Sequence, residues 1–150
     1  MRYLEDLKVG ETCESAPRQV TEEELLAFAR LYDPQYFHAD PQAAKASSFG
    51  GLVASGIFTM AIWRALDHQM APDIAWICGV AWDDVRFLLA VRPGDTLRAR
   101  SRCLSTRASG KDAQRGVTVF QYELVNQHEE LVFTCRSTNL IERRAAGASR

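Results

Sequence analysis

Cysteine is sparse and never clustered. Cys13, Cys78, Cys103 and Cys135 stand too far apart for a CxxC, so neither a zinc site nor a redox motif is indicated. In a chain of this size they read as buried free thiols of a reducing compartment. Long apolar runs are missing as well. The most apolar stretch, residues 50–65, is interrupted by Ser55 and Arg64 and is too short and polar to span a bilayer. The opening residues Met1-Arg2-Tyr3-Leu4-Glu5-Asp6 lack the apolar run of a signal peptide, so the cytoplasm is the expected location. An excess of one charge is also absent. The formal net charge is -1 and the basic residues form no single run, which gives no reason to expect a nucleic-acid partner. There is no HExxH, and the three histidines have no metal-ligand spacing, so no metal is expected.

What is present suits one globular domain. The chain has 150 residues, of which 47% are hydrophobic and 25% charged. A chain of that length buries about 70% of the surface its unfolded form exposes, so no disulfide or metal is needed to hold a core. No repeat or low-complexity linker divides it. A single domain is expected over residues 1–142, with the apolar-poor tail 143–150 disordered.

The pattern predicts helices first and strands after. Thr21-Glu22-Glu23-Glu24 is a capping box, and Leu25, Phe28, Ala29 and Tyr32 follow at helical spacing, predicting a helix over 22–32. Pro34 disfavours helical angles at Asp33 and ends it. Asp40 and Pro41 suit the start of a short helix over 41–46. A third helix is predicted over 55–69. It is apolar nearly all round, so something must wrap it. Strands are predicted over 76–82, 97–103, 117–125 and 131–141, with residues 126–130 as a hairpin and 12–20 as a possible fifth strand. Arg98, Arg100 and Arg102 alternate with Leu97, Ala99, Ser101 and Cys103, the mark of a half-exposed strand. The expected class is α+β, a curved antiparallel sheet around one central helix.

Two places carry candidate chemistry. Asp33-Pro34-Gln35-Tyr36-Phe37-His38 puts a carboxylate and an imidazole on the loop expected after the first helix, a pair able to act as base and acid near neutral pH. Asp before Pro is also an ordinary turn, and a histidine among aromatics is more often structural. On spacing alone that plainer role is favoured. Gly50-Gly51-Leu52-Val53-Ala54-Ser55-Gly56 leads into the third helix, whose first amides lack partners and carry partial positive charge. A backbone amide at Gly56 can receive a thioester oxyanion. The plainer alternative makes Ser55 a helix cap and Gly50-Gly51 a turn. His68, at a helix end, and His128, in a hairpin tip, rank lower.

Taken together these segments resemble the MaoC-like dehydratases, which include the (R)-specific enoyl-CoA hydratases. The resemblance rests on the order and spacing of residues 32–41, 49–56, 82–87 and 91–97, and covers nearly the whole chain. It implies a hot-dog fold, a homodimer or an assembly of dimers, and an acyl-CoA held in a tunnel near the subunit interface. It implies Asp33, His38 and Gly56 as catalytic groups, and Gln35, Phe37, Ser55 and Gly51 as substrate-binding ones. It implies no cofactor, the CoA thioester being the substrate. The expected activity is hydration of a 2-enoyl-CoA or the reverse dehydration. The alternatives are a hot-dog acyl-CoA thioesterase and a non-catalytic acyl-CoA-binding module. Many relatives carry Asn where this chain has Gln35, and His where it has Ser55.

Overall fold

The computed structural model describes residues 1–144. A short 3-10 turn, Leu4–Asp6, precedes two short strands, β1 (Thr12–Glu14) and β2 (Arg18–Gln19). The single strand expected over 12–20 is therefore split. Pro17, which cannot donate to a ladder, lies in the gap, and both pieces pair with the same partner strand.

The predicted capping box forms. Thr21 Oγ1 accepts from Glu24 N at 3.3 Å, and Thr21 N donates in turn to the Glu24 carboxylate, opening α1 (Glu22–Tyr32). After Pro34 the chain makes a further helical turn, α2 (Tyr36–Ala39), where the sequence suggested a loop. Asp40 then caps α3 (Pro41–Ala44) by accepting from Gln42 N and Ala43 N, and this helix ends two residues earlier than the expected 46. The central helix α4 (Gly56–Met70) starts behind the cap Ser55.

Four long strands follow: β3 (Trp76–Phe87), β4 (Thr96–Ala108), β5 (Arg115–Val125) and β6 (Leu131–Glu142). β3 runs five residues beyond the expected end at Trp82, with register shifts at 79–81 and 83–86 that let the edge strand bend. The sheet order is β1-β4-β5-β6-β3, all neighbours antiparallel. This is the α+β hot-dog arrangement that the resemblance implies: a curved sheet around one helix.

The core lies between α4 and the concave face of the sheet. Phe58, Ile62, Trp63 and Leu66 meet Leu97, Tyr122, Leu124, Phe133 and Cys135. Trp63 is fully buried, with the rings of Trp82, Tyr122 and Phe133 within 5.5 Å of its own. One stripe of α4 stays uncovered in the single chain. Ile57, Ala61 and Ala65 are exposed there, so the sheet does not wrap the helix completely.

Two expectations need correction. Cys103 and Cys135 are buried, but Cys13 and Cys78 are exposed, because β1 and β3 are edge strands with little over them. Arg143 and Arg144, the first two residues of the tail expected to be disordered, are held by ion pairs. Arg143 pairs with Glu5 at 3.0 Å, and Arg144 pairs with Asp6. Residues 145–150 of that tail lie outside the described residues. No helix among the described residues is long and apolar enough to cross a membrane.

Candidate active site

Pro34 stops α1 and turns the chain, so that Asp33 and the single-turn helix α2 face the start of α4. His38 is buried in that turn. Its Nδ1 lies 2.7 Å from the carbonyl oxygen of Val53. A carbonyl only accepts, so Nδ1 carries a proton and Nε2 is the nitrogen turned to the site. That Nε2 stands 3.7 Å from Asp33 Oδ2.

The Asp33 carboxylate is held at both oxygens. Ser55 Oγ donates to Oδ2 at 2.7 Å, and Gln35 Nε2 donates to Oδ1 at 3.2 Å. The Ser55 hydrogen bond is the main influence holding the carboxyl below the usual carboxylate range. Partial burial opposes it, while the Gln35 hydrogen bond and the neighbouring His38 assist. Asp33 is therefore an ionised, oriented acceptor facing an imidazole nitrogen.

Both groups open into a cavity of about 580 Å³, within the range usual for ligand sites. Its wall includes Asp33, Gln35, Phe37, His38 and Gly56 together with Phe49, Ile57, Phe87 and Leu88. Most of the lining is apolar, and the ionisable groups are Asp33 and His38. The Phe37 ring stands edge-on to the His38 ring, with centroids 4.5 Å apart. Gly56 opens α4, and its amide donates no hydrogen bond among the described residues. Its bare Cα faces Phe87, since an added Cβ would sit 3.0 Å from that ring.

Five of the seven site residues expected from the sequence thus share one cavity. The other two stand behind it. Ser55 is almost wholly buried and bonds Asp33 and Ile57 N, and Gly51 lies beside the Arg92 guanidinium. Among the described residues, no three His, Cys, Asp or Glu side chains gather to hold a metal ion. His68 is exposed beside Arg64, and His128 lies in the β5–β6 hairpin, both away from the cavity. The sequence reading missed the wall formed by Phe87, Leu88, Leu89 and Ala90. The signal was available: an apolar run continuing past the end of an edge strand.

A family model described as MaoC like domain matches residues 6–124. The chain belongs to the MaoC-like family. A MaoC-like dehydratase from Rhodospirillum rubrum superposes with a TM-score of 0.88 at 34% identity, covering 96% of this chain and 99% of that one. An uncharacterized protein of Bacillus subtilis, YdeM, is 29% identical over 93% of this chain and 99% of its own length. The beta-methylmalyl-CoA dehydratase of Chloroflexus aurantiacus is 29% identical over 87% of this chain, which spans 37% of that enzyme's length. The MaoC-like family includes hydratases and dehydratases.

Proposed function

We propose that this MaoC-like chain is an acyl-thioester hydratase, adding water to a 2-enoyl-CoA or removing it from the 3-hydroxyacyl-CoA. The carrying observation is the 3.7 Å gap between Asp33 Oδ2 and His38 Nε2 at the wall of an apolar cavity. A water held there can donate one hydrogen bond to each group. His38 Nε2 takes a proton from that water as its oxygen bonds to C3. The C2=C3 electrons move toward the thioester carbonyl, whose oxygen gains charge. The Gly56 amide, at the positive end of α4, stabilises that oxygen. The His38 imidazolium, facing the ionised Asp33, then gives its proton to C2 and both groups return to their starting state. One water is consumed, and the reaction needs no metal or organic cofactor. The acid–base step contributes roughly 10²–10⁴-fold and an oxyanion donor about 10²–10³-fold.

We further propose that the protein works as a homodimer. β3 is a twelve-residue edge strand, long for an exposed edge. Val80, Trp82, Val85 and Phe87 on it are exposed apolar side chains, as is Ile57 on α4. A second copy that pairs with this edge would cover them, and would close the cavity side formed by Phe87 and Ile57.

A panel of 2-enoyl-CoAs, followed by loss of enoyl absorbance, tests the activity, with Asp33→Asn as control. Hydration by the wild type and its loss in the variant is the expected result. Release of free thiol in place of hydration would overturn the reading in favour of thioester hydrolysis. No turnover and equal binding by both proteins would favour a non-catalytic acyl-CoA-binding module.

A further inference from the structure

We propose that Ser55 is a positioning residue for Asp33, holding its carboxylate through a hydrogen bond relayed from the start of α4. This rests on the reading of Asp33 and His38 as the reacting pair.

The direction of the relay is fixed by the hydrogen count of one hydroxyl. Ile57 N donates to Ser55 Oγ at 3.2 Å. An amide N–H can only give, so Oγ accepts there and sends its own single proton to Asp33 Oδ2 at 2.7 Å. The chain Ile57 N–H to Ser55 O–H to Asp33 thus conveys the positive end of α4 to the carboxylate. The oxygen it grips is Oδ2, the one facing His38 Nε2. Gln35 holds the other oxygen, at a longer 3.2 Å and from an exposed side chain, which makes it the looser tether.

Ser55 itself does not reach the substrate space. It is 1% exposed and is not part of the cavity wall. It therefore acts through Asp33, a role different from the thioester contact that its place beside Gly56 suggested. The same hydroxyl fixes both the helix start that presents the Gly56 amide and the carboxylate that orients water. The two halves of the site are thereby registered to each other.

The electrostatic surroundings of Asp33 are simple. α2 contributes His38, while the first turn of α4 and the segment 87–91 contribute no ionisable side chain to the cavity. A hydrogen bond given to the ionised form favours that form, so its loss should raise the protonation midpoint of Asp33.

Two substitutions separate this role from helix capping. Ser55→Gly removes the hydroxyl at a position where glycine is nearly as good a cap, and Ser55→Thr keeps both hydroxyl and cap. Protein labelled with ¹³C at aspartate Cγ is titrated, the Asp33 signal being assigned by its absence in Asp33→Asn. The expected result is a higher Asp33 midpoint in Ser55→Gly and return toward wild type in Ser55→Thr. An unchanged midpoint in Ser55→Gly overturns the proposal. On a turned-over enoyl-CoA, Ser55→Gly should lower kcat about 10-fold with KM within about twofold. A raised KM with unchanged kcat would instead make Ser55 a substrate contact and overturn the proposal. The titration needs no turnover, so a wild type that fails to hydrate any enoyl-CoA would sink the hydratase reading while the Ser55–Asp33 linkage is still tested.

Discussion

The His38 imidazole is anchored on the carbonyl of Val53, 15 positions along the chain and one turn before α4, at 2.7 Å. That bond decides which ring nitrogen faces Asp33. His38 is thus held by a backbone carbonyl and Asp33 by the side chains of Ser55 and Gln35, and the two converge on one gap. If they act as a unit, His38→Ala and Asp33→Asn should each lower kcat by at least about 10²-fold, and the double variant should lose little more than the worse single one. Melting temperature measured on the same samples separates chemistry from folding. Normal kcat in both single variants would dispose of the site assignment.

The exposed edge of β3 makes a separate prediction. A single chain that leaves Val80 and Trp82 exposed on an edge strand should associate at micromolar concentration. Light scattering should report a dimer for the wild type and a smaller species for the paired change Val80→Lys and Trp82→Lys. A monomeric wild type would contradict the homodimer.

Thiol chemistry reads the burial pattern directly. Burial raises the Cys103 thiol and pushes Cys135 up to about 12, so neither offers thiolate near pH 8. Cys13 is exposed on the short strand β1. Mass spectrometry after brief treatment with an alkylating agent should find Cys13 modified and Cys103 and Cys135 intact until denaturant is added. Early modification of Cys135 would show that the α4–sheet core opens readily.

Much of this was legible in the chain, and the failures have physical reasons. The capping box at Thr21 and the all-round apolar pattern of α4 depend on neighbours in sequence, and both appear as read. The α2 turn was missed because Pro34 breaks a helix locally but does not forbid another two residues later. The length of β3 was missed because Asp83, Asp84 and Arg86 near its end are polar, and the register shift there hides the alternation. At the cavity, Asp33, His38 and Gly56 were singled out by the resemblance, since spacing alone favoured plainer roles, and the fold brings all three to one wall. Ser55 was found too, but its partner was not, since a bond across 22 positions of sequence leaves no local trace.

The last prediction concerns the Gly56 amide and must allow for Phe87. Ser55 has φ −55° and ψ 140°, the extended geometry that a following proline prefers, and a first helical turn accepts proline without losing an internal hydrogen bond. The backbone therefore tolerates Gly56→Pro. The side chain space does not, because any Cβ there meets the Phe87 ring at 3.0 Å. A fall in rate in Gly56→Pro alone would mix lost amide with displaced ring. Placing the change on a Phe87→Ala background removes the obstacle, and Gly56→Ala on the same background supplies a Cβ while keeping the N–H. The two double variants then differ chiefly in the amide proton. If that proton stabilises the thioester oxygen as charge develops, Gly56→Pro should be slower in kcat than Gly56→Ala by about 10²–10³-fold. Circular dichroism confirms that both keep α4. Equal kcat in the two would show that the oxyanion is held elsewhere, and the unpartnered amide at the head of α4 would then be only an ordinary helix start.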